Sequence, residues 1–436
     1  MVINMENLEK FFEEKGIEFI QFQFTTVLGE LKSVEFPANI WDSMKEGTGV
    51  DGSSLGFLKT EQSDMKIVPD FSTLCILPWE PRVARFICDV YDNDGNPHPT
   101  DPRHILKKVI KQAKDQFGYE YKTRPEFEWF FLDYELDPFE EGQYMDNLPG
   151  DELGYLRRNI ASDMLEVGIG VKTIHHEVGS GQQEIELVAL EALKQADNTQ
   201  TAKLIIKANS LFSEVIGTFM PKPFPDQPGS SIHIHQYLTK GDENIFADKE
   251  KGISDILRYF VGGILEHIDA MTAIFNPITN SFKRLVPGHE APVYKSWGVA
   301  NRTALIRVPG YEKSARIEFR ATDGATNIYL ASALLLAAGL DGIKNQTVPI
   351  EPTTRNIETL TDEERANMRI TPLPSNLSEA LDYFEKSDFV REVLGQDIID
   401  IFLAVKRKEW EEYTEAKNIS EEAEIEWEFS KYLDRV

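Results

Sequence analysis

The sequence predicts an α+β fold in two parts, a small unit over residues 1–100 and a larger domain over 101–436 whose curved sheet is flanked by helices. Two observations carry this. Four strand-like segments of the larger part are apolar on one face and chemically loaded on the other. A turn-rich break, Tyr91-Asp-Asn-Asp-Gly-Asn-Pro-His-Pro, separates them from a shorter α/β stretch.

The segment His175–Leu187 reads HHEVGSGQQEIEL. Successive strand side chains point to opposite faces, so Glu184 and Glu186 share one face while Ile185 and Leu187 pack behind. Taken alone, such a pair reads as a solvated edge. The pattern recurs, however, with Glu126 and Glu128 in PEFEWFF, with His233 and His235 in SIHIHQ, and with Arg316, Glu318 and Arg320 in ARIEFR. A sheet curved around so polar an interior is costly unless its charges are paired or coordinate metals. Carboxylates with a single imidazole favour Mg²⁺ or Mn²⁺ over zinc.

Taken in order, the first helix is acidic and amphipathic (MVINMENLEKFFEEKG), unlike a signal peptide. A strand follows at Phe19–Phe24, then a turn at Gly29, a polar turn at Val50–Ser54, and strands at 73–77 and 84–90. Asp101-Pro102 opens a helix to about Phe117. Residues 138–154 read as an acidic surface loop, 155–167 and 190–215 as helices, 221–229 as a Pro-rich loop and 253–275 as a helix. The longest apolar run, Ile328–Leu340, is shorter than the roughly 20 residues a membrane span needs and reads as a buried helix. Further helices close the chain, one from Ile398 to about Tyr413.

With 46 Lys+Arg against 73 Asp+Glu the net charge is −27, which argues against nucleic acid or an anionic membrane as partner. Cys75 and Cys88, the two cysteines, lie in apolar runs and read as buried free thiols in a reducing cytosol. The charge balance reverses between Ser281 and Arg320, where eight Lys/Arg face three Asp/Glu. Its arginines, Arg284, Arg302, Arg307, Arg316 and Arg320, suit carboxylate or phosphate groups, although scattered salt bridges would use them equally well. Within it, Val286–Pro292 is a proline-bounded loop with Glu290 at its tip, either an active-site flap or a rigid connection. Glutamates that hold divalent metals beside arginines that hold anions make a phosphoryl-transfer site. The chain has no P-loop and no kinase-type glycine loop.

The motifs VDGSSLGF, RPEFEWFFLD, HHEVGSGQQEIE, FMPKPF, SSIHIHQ, NSFKRLVPGHEAPVY, NRTALIRVP, ARIEFRATD and AAGLDGIKN occur in this order. Along nearly its whole length the chain resembles class I glutamine synthetase. That resemblance implies a β-grasp-like N-terminal domain, an antiparallel catalytic sheet, and ligation of ammonia to glutamate using ATP through a γ-glutamyl phosphate. It implies that Glu128, Glu177 and Glu184 bind one Mg²⁺ or Mn²⁺, and that Glu126, His233 and Glu318 bind a second. His235, Arg302, Arg307 and Arg316 match the ATP side. Arg284, Arg320 and Gly229 match the glutamate side. Glu290 matches a flap acid that takes the ammonium proton, and Asp51 an acid that binds ammonium in a neighbouring subunit's site. A cytoplasmic homo-oligomer of two stacked hexamers is implied as well.

The chain departs from the family at Pro228-Gly229-Ser230-Ser231, where Asn-Gly-Ser-Gly is usual at the pocket for the amino-acid end of glutamate. Two alternatives therefore stay open: a γ-glutamyl-amine ligase using a polyamine, methylamine or ethanolamine, and a catalytically silent sensor. Regulation is expected to differ too. Asn356-Ile357-Glu358 lacks the tyrosine that is adenylylated in part of the family, and Lys59 stands where a feedback-sensing arginine does in another.

Overall fold

The computed structural model describes residues 8–55, 63–250, 252–288, 291–310 and 314–436. Helix α1 (Leu8–Lys15) leads into β1 (Phe19–Thr25), whose alternating Ile20, Phe22 and Phe24 are buried. The turn through Gly29, at φ +86°, returns the chain antiparallel as β2 (Leu31–Pro37). The helix α2 (Trp41–Met44) and strands β3 (Thr48–Asp51), β4 (Asp64–Pro69), β5 (Cys75–Leu77) and β6 (Glu80–Tyr91) complete a sheet of order β2-β1-β6-β4-β3, with β5 beside β6. Trp41 is the hub of its core, stacked on Phe86 at 5.3 Å and edge-on to Phe12 at 5.4 Å.

The strand expected at 73–77 is shorter than the sequence suggests. Residues 71–73 form a 3₁₀ turn because the Asp70 side chain accepts the Ser72 amide at 3.1 Å, a local bond that competes with strand pairing. Cys75 and Cys88 are free and buried, and burial pushes both thiols up.

Asp101 caps α3 (Pro102–Phe117) by accepting the Arg103 amide at 2.9 Å, with Pro102 at the first turn. The second sheet runs β7 (Glu120–Leu132), α4 (Gly154–Glu166), β8 (Val171–His176), β9 (Gln182–Leu187), β10 (Leu190–Glu191), α5 (Ala192–Phe212), β11 (Ile216–Thr218), β12 (Ile232–Lys240) and β13 (Glu243–Asn244). After a ribbon of β14 (Ala247–Asp248) and β15 (Gly252–Ile253) come α6 (Asp255–Phe275), α7 (Ser281–Arg284), β16 (Trp297–Val299), β17 (Ile306–Gly310), β18 (Arg316–Phe319) and α8 (Ile328–Asn345). Helices α9 (Asp362–Asn367), α10 (Leu377–Lys386), α11 (Asp388–Leu394), α12 (Gln396–Ile419) and α13 (Glu421–Tyr432) finish the chain.

The main path of this sheet is β16-β17-β18-β12-β7-β9-β8. Its pairs are antiparallel, as expected, apart from the edge pair β16–β17, which is parallel. The four chemically loaded segments of the sequence are four consecutive strands, β18-β12-β7-β9. Behind them Phe127, Trp129, Ile185, Leu187, Ile232, Ile234, Ile317 and Phe319 join one core, on which α3, α5, α6 and α8 pack. The apolar run at 328–340 is indeed buried within α8. Among the described residues no helix is long and apolar enough to cross a membrane.

Candidate active site

Register decides which side chains meet. Glu126 of β7 lies opposite Glu186 of β9 and His233 of β12, while Glu128 lies opposite Glu184. His235 lies opposite Glu318, Arg307 opposite Glu318, and His175 opposite Glu184. The outward row that results has two chemically distinct ends.

At the β9 end, ligand atoms of His175, Glu177 and Glu184 lie within 4.8 Å of one another. His175 Nε2 is 3.0 Å from Glu184 Oε1, and Glu177 Oε2 accepts the Val178 amide at 2.8 Å. Glu128 Oε2 accepts the Ser231 amide at 2.7 Å. Burial, with the neighbouring Glu184, pushes the Glu177 carboxyl up to about 7. Burial, with Glu177 and Glu184 nearby, likewise pushes Glu128 up to about 7. Against burial, the Glu184 carboxylate holds the His175 imidazole up to about 9. Glu177 and Glu184 share the His175 imidazolium, while Glu128 has His233 3.9 Å away and Arg284 farther off; two carboxyls are still raised, and with the oxygen donors this fits a hard divalent cation.

At the β18 end the chain supplies its own cations. Glu318 has one oxygen 2.6 Å from Arg307 Nη1 and the other 2.5 Å from Arg320 Nη1. Burial opposes the charged carboxylate, yet Arg320, His235 and His233 bring it down to about 2. Glu126 bonds both imidazoles, His233 Nδ1 at 3.3 Å and His235 Nε2, and these hold it far below the usual carboxylate range despite burial. Glu126, His235 and Glu318 present ligand atoms within 4.8 Å. His233 stands between Glu126 and Glu128, 3.9 Å from the latter. The trio gathered here contains His235, whereas the resemblance implies His233 as the histidine on the second cation. Arg316 Nε lies 3.3 Å from His235 Nδ1. The buried Nε of Arg307 has no hydrogen-bond partner among the described residues, a donor left available to an anion.

The residues expected on the glutamate side meet at a third point. Arg284 is buried and donates to the Ala321 and Arg320 carbonyls at 2.7 and 2.8 Å. Gly229 lies against it: a Cβ added there would sit 2.6 Å from Arg284 Cγ and 2.8 Å from the Pro221 carbonyl oxygen. The atypical Pro228–Ser231 loop is built in, since Gln182 Nε2 donates to the Gly229 carbonyl at 3.1 Å and to Ser230 Oγ at 3.2 Å.

Two candidates stand apart. Arg302 is exposed on the turn before β17. Asp51 ends β3 in the first sheet, accepting from the Ser53 amide at 2.9 Å, from Ser53 Oγ at 2.7 Å and from Ser54 Oγ at 2.6 Å. These bonds hold its carboxyl well below the usual range, so it is a fixed anion. Glu290 and Lys59 lie outside the described residues.

Sequence reading missed Tyr144, whose ring is edge-on to His175 at 5.4 Å and whose hydroxyl is raised by partial burial, by Glu177 and by Glu184 against Arg302. Its loop is anchored from beneath. Arg157 bonds Asp151 at 3.1 Å and also Gln183, while Gln183 Nε2 and the Leu153 amide both reach Glu140 at 2.9 Å. An aromatic set among acidic and amide residues was the available signal. Glu186, by contrast, is occupied structurally, with Arg124 at 2.5 Å and Lys172 at 2.6 Å.

Comparison with known proteins adds a second line. Residues 99–432 match the family model described as glutamine synthetase, catalytic domain, and residues 16–93 that described as glutamine synthetase, beta-Grasp domain. A glutamine synthetase of Thermotoga maritima is 42% identical, with 99% of this chain and 100% of the relative covered. One from Methanosarcina mazei is 42% identical over 97% of this chain and 96% of its own. Among solved structures, a GmaS/ADP complex superposes with a TM-score of 0.87 at 31% identity, covering 99% of this chain and 100% of that one.

Proposed function

We propose that this chain, which belongs to the glutamine synthetase family, joins ammonia to glutamate at the expense of ATP. Within that reading Glu128, Glu177 and Glu184 hold one Mg²⁺ or Mn²⁺. Glu126 and Glu318, with His233 or His235, hold the other. When bound, the two cations orient the transferring phosphoryl group and offset its charge. The rest is the work of the chain. Arg307, with an unpartnered buried Nε, and Arg302 and Arg316 nearby in sequence and sheet, hold nucleotide phosphates, beside His235. Arg284 and Arg320, with Gly229 against the first, shape the glutamate end. Glu290 takes the ammonium proton and keeps water from the acyl phosphate.

The observation that carries the choice of ammonia is Asp51, a fixed carboxylate held by Ser53, Ser54 and Ser63. A small cation needs such an anion, whereas a larger amine needs the room that the side chain takes. Tyr144, beside Glu177, offers an aromatic rim to the same cation. Asp51 belongs to the unit at residues 1–100, and we read each site as completed by a neighbour's Asp51 in a cytoplasmic assembly of two stacked hexamers. The second reading, a γ-glutamylamine ligase, is favoured by one finding, the likeness to GmaS.

The test is product analysis. The purified protein is given glutamate, ATP, Mg²⁺ and, separately, ammonium, methylamine, ethanolamine and a polyamine, and products are identified by mass spectrometry. Glutamine formed from ammonium supports the proposal. A γ-glutamyl amide formed with an amine, and none with ammonium, replaces it with the second reading.

A further inference from the structure

Asp51 contributes to any site only if the small unit is held at a fixed angle on the large one. The junction shows what holds it. Arg103, in the first turn of α3, has a side chain only 4% exposed and reaches three aspartates at once. Its Nη2 is 2.8 Å from Asp70 Oδ2, its Nη1 2.7 Å from Asp89 Oδ1, and its Nε and Nη2 each 2.9 Å from Asp197. Asp70 and Asp89 belong to the small unit, Asp197 to α5 of the large one. Lys107 adds a second cation on Asp89 at 2.6 Å, and the Tyr329 hydroxyl donates to Asp197 at 2.7 Å.

The small unit turns this junction into a lever. Asp70 directly follows β4, and at the other end of β4 Asp64 pairs with Asp51 in the β3–β4 ladder. Asp89 is in β6, opposite Val68 of the same β4. At about 3.3 Å per residue, the clamp and Asp51 therefore sit at opposite ends of a strand roughly 20 Å long. A small change of angle at the clamp becomes a larger displacement at Asp51. The guanidinium has the planar fork that three carboxylates require, and a lysine cannot reproduce it.

The geometry points to Arg103 as a positioning residue for the reaction: it grips one end of β4 so that Asp51, at the other, is presented to ammonium at a fixed place. The inference rests on the reading of Asp51 given above.

Asp70→Asn is the principal test, because it weakens one arm of the clamp while the amide oxygen can still accept the Ser72 amide. Arg103→Lys is the second variant. Steady-state rates are measured for the full assembly with ammonium, glutamate and ATP varied in turn, alongside Asp51→Ala, light scattering and thermal melting. Both clamp variants are expected to raise KM for ammonium about tenfold, within the range that a misplacement of about 1 Å produces, while KM for ATP and glutamate stays within about twofold. Unchanged ammonium KM in the clamp variants, with a raised value in Asp51→Ala, overturns the clamp and leaves the ammonia reading standing. Unchanged ammonium KM in Asp51→Ala overturns both. A parallel loss for all three substrates, together with a lower melting temperature, shows a merely structural role and also overturns the inference.

Discussion

The two ends of the carboxylate row are made of the same residue types and sit in opposite electrostatic states. At the β18 end Glu318 is gripped by Arg307 and Arg320, Glu126 is bonded to two histidines, and both carboxyls are held low. At the β9 end Glu128 and Glu177 rise to about 7, with His175 bonded to Glu184 and His233 no nearer than 3.9 Å to Glu128. The difference lies in partners more than in burial, since burial works against ionisation at both ends. The β18 end is balanced by its own side chains, so a cation there competes with guanidinium groups. The β9 end is short of positive charge and calls for a cation from outside. Similar sequence patterns on adjacent strands therefore do different jobs, set by which strand supplies the arginines.

Substitution at each end should move stability in opposite directions. Glu318→Ala is expected to have the largest effect. It removes a proposed cation ligand, so ATP-dependent phosphate release should fall at least about 10³-fold, the scale of several kcal/mol of lost charge stabilisation. It also breaks the ion pairs of a buried carboxylate with buried Arg320 and half-buried Arg307, lowering stability by about 3–5 kcal/mol in denaturant unfolding. Unchanged turnover at saturating Mg²⁺ would remove Glu318 from the site.

Glu177→Gln should destroy activity too, yet stabilise the cation-free protein by on the order of 1–2 kcal/mol at pH 8. The sign follows from the raised carboxyl. The folded state holds this proton more tightly than the unfolded chain, so wild-type stability falls as pH climbs from the ordinary carboxylate range through about 7. The amide abolishes that loss, and near pH 4 the two proteins should melt alike. A variant less stable than wild type at pH 8 would contradict the charge deficit.

Gly229→Ala should have the smallest of the three effects. Its Cβ pushes on Arg284, and overpacking of about 1–2 kcal/mol corresponds to a rise of about tenfold in KM for glutamate, with calorimetric Mn²⁺ affinity unchanged. Equal changes in both quantities would place Arg284 outside the glutamate pocket.

Much of this was legible in the sequence because the strand period is two. The alternation of Glu126/Glu128, Glu184/Glu186, His233/His235 and Arg316/Glu318/Arg320 named the four strands and their inner faces, and the sheet then placed them side by side. What one strand cannot show is its cross-strand partner. Glu186 looks like Glu184 in sequence, but Arg124 and Lys172 neutralise it. Which of His233 and His235 faces the β18 cluster depends on how the two imidazoles turn toward Glu126. Tyr144 and the Arg103 junction were hidden for another reason. They depend on contacts between residues far apart in the chain, Tyr144 with His175 and Arg103 with Asp197, which no local period reports.

The charge deficit at the β9 end is the central claim, and proton release on cation binding tests it most directly. Mn²⁺ is titrated calorimetrically into the cation-free protein at pH 7, in buffers of different ionisation enthalpy, and the dependence of heat on buffer gives the protons displaced. Glu128 and Glu177 are raised to about 7, and the His175 imidazole that Glu184 holds up to about 9 carries a further proton, so filling the β9 end should release at least about one proton. The release per bound cation should shrink at pH 8 and be smaller in Glu177→Gln. Binding with no proton release at pH 7 would mean that both acids are already ionised, and would contradict the account.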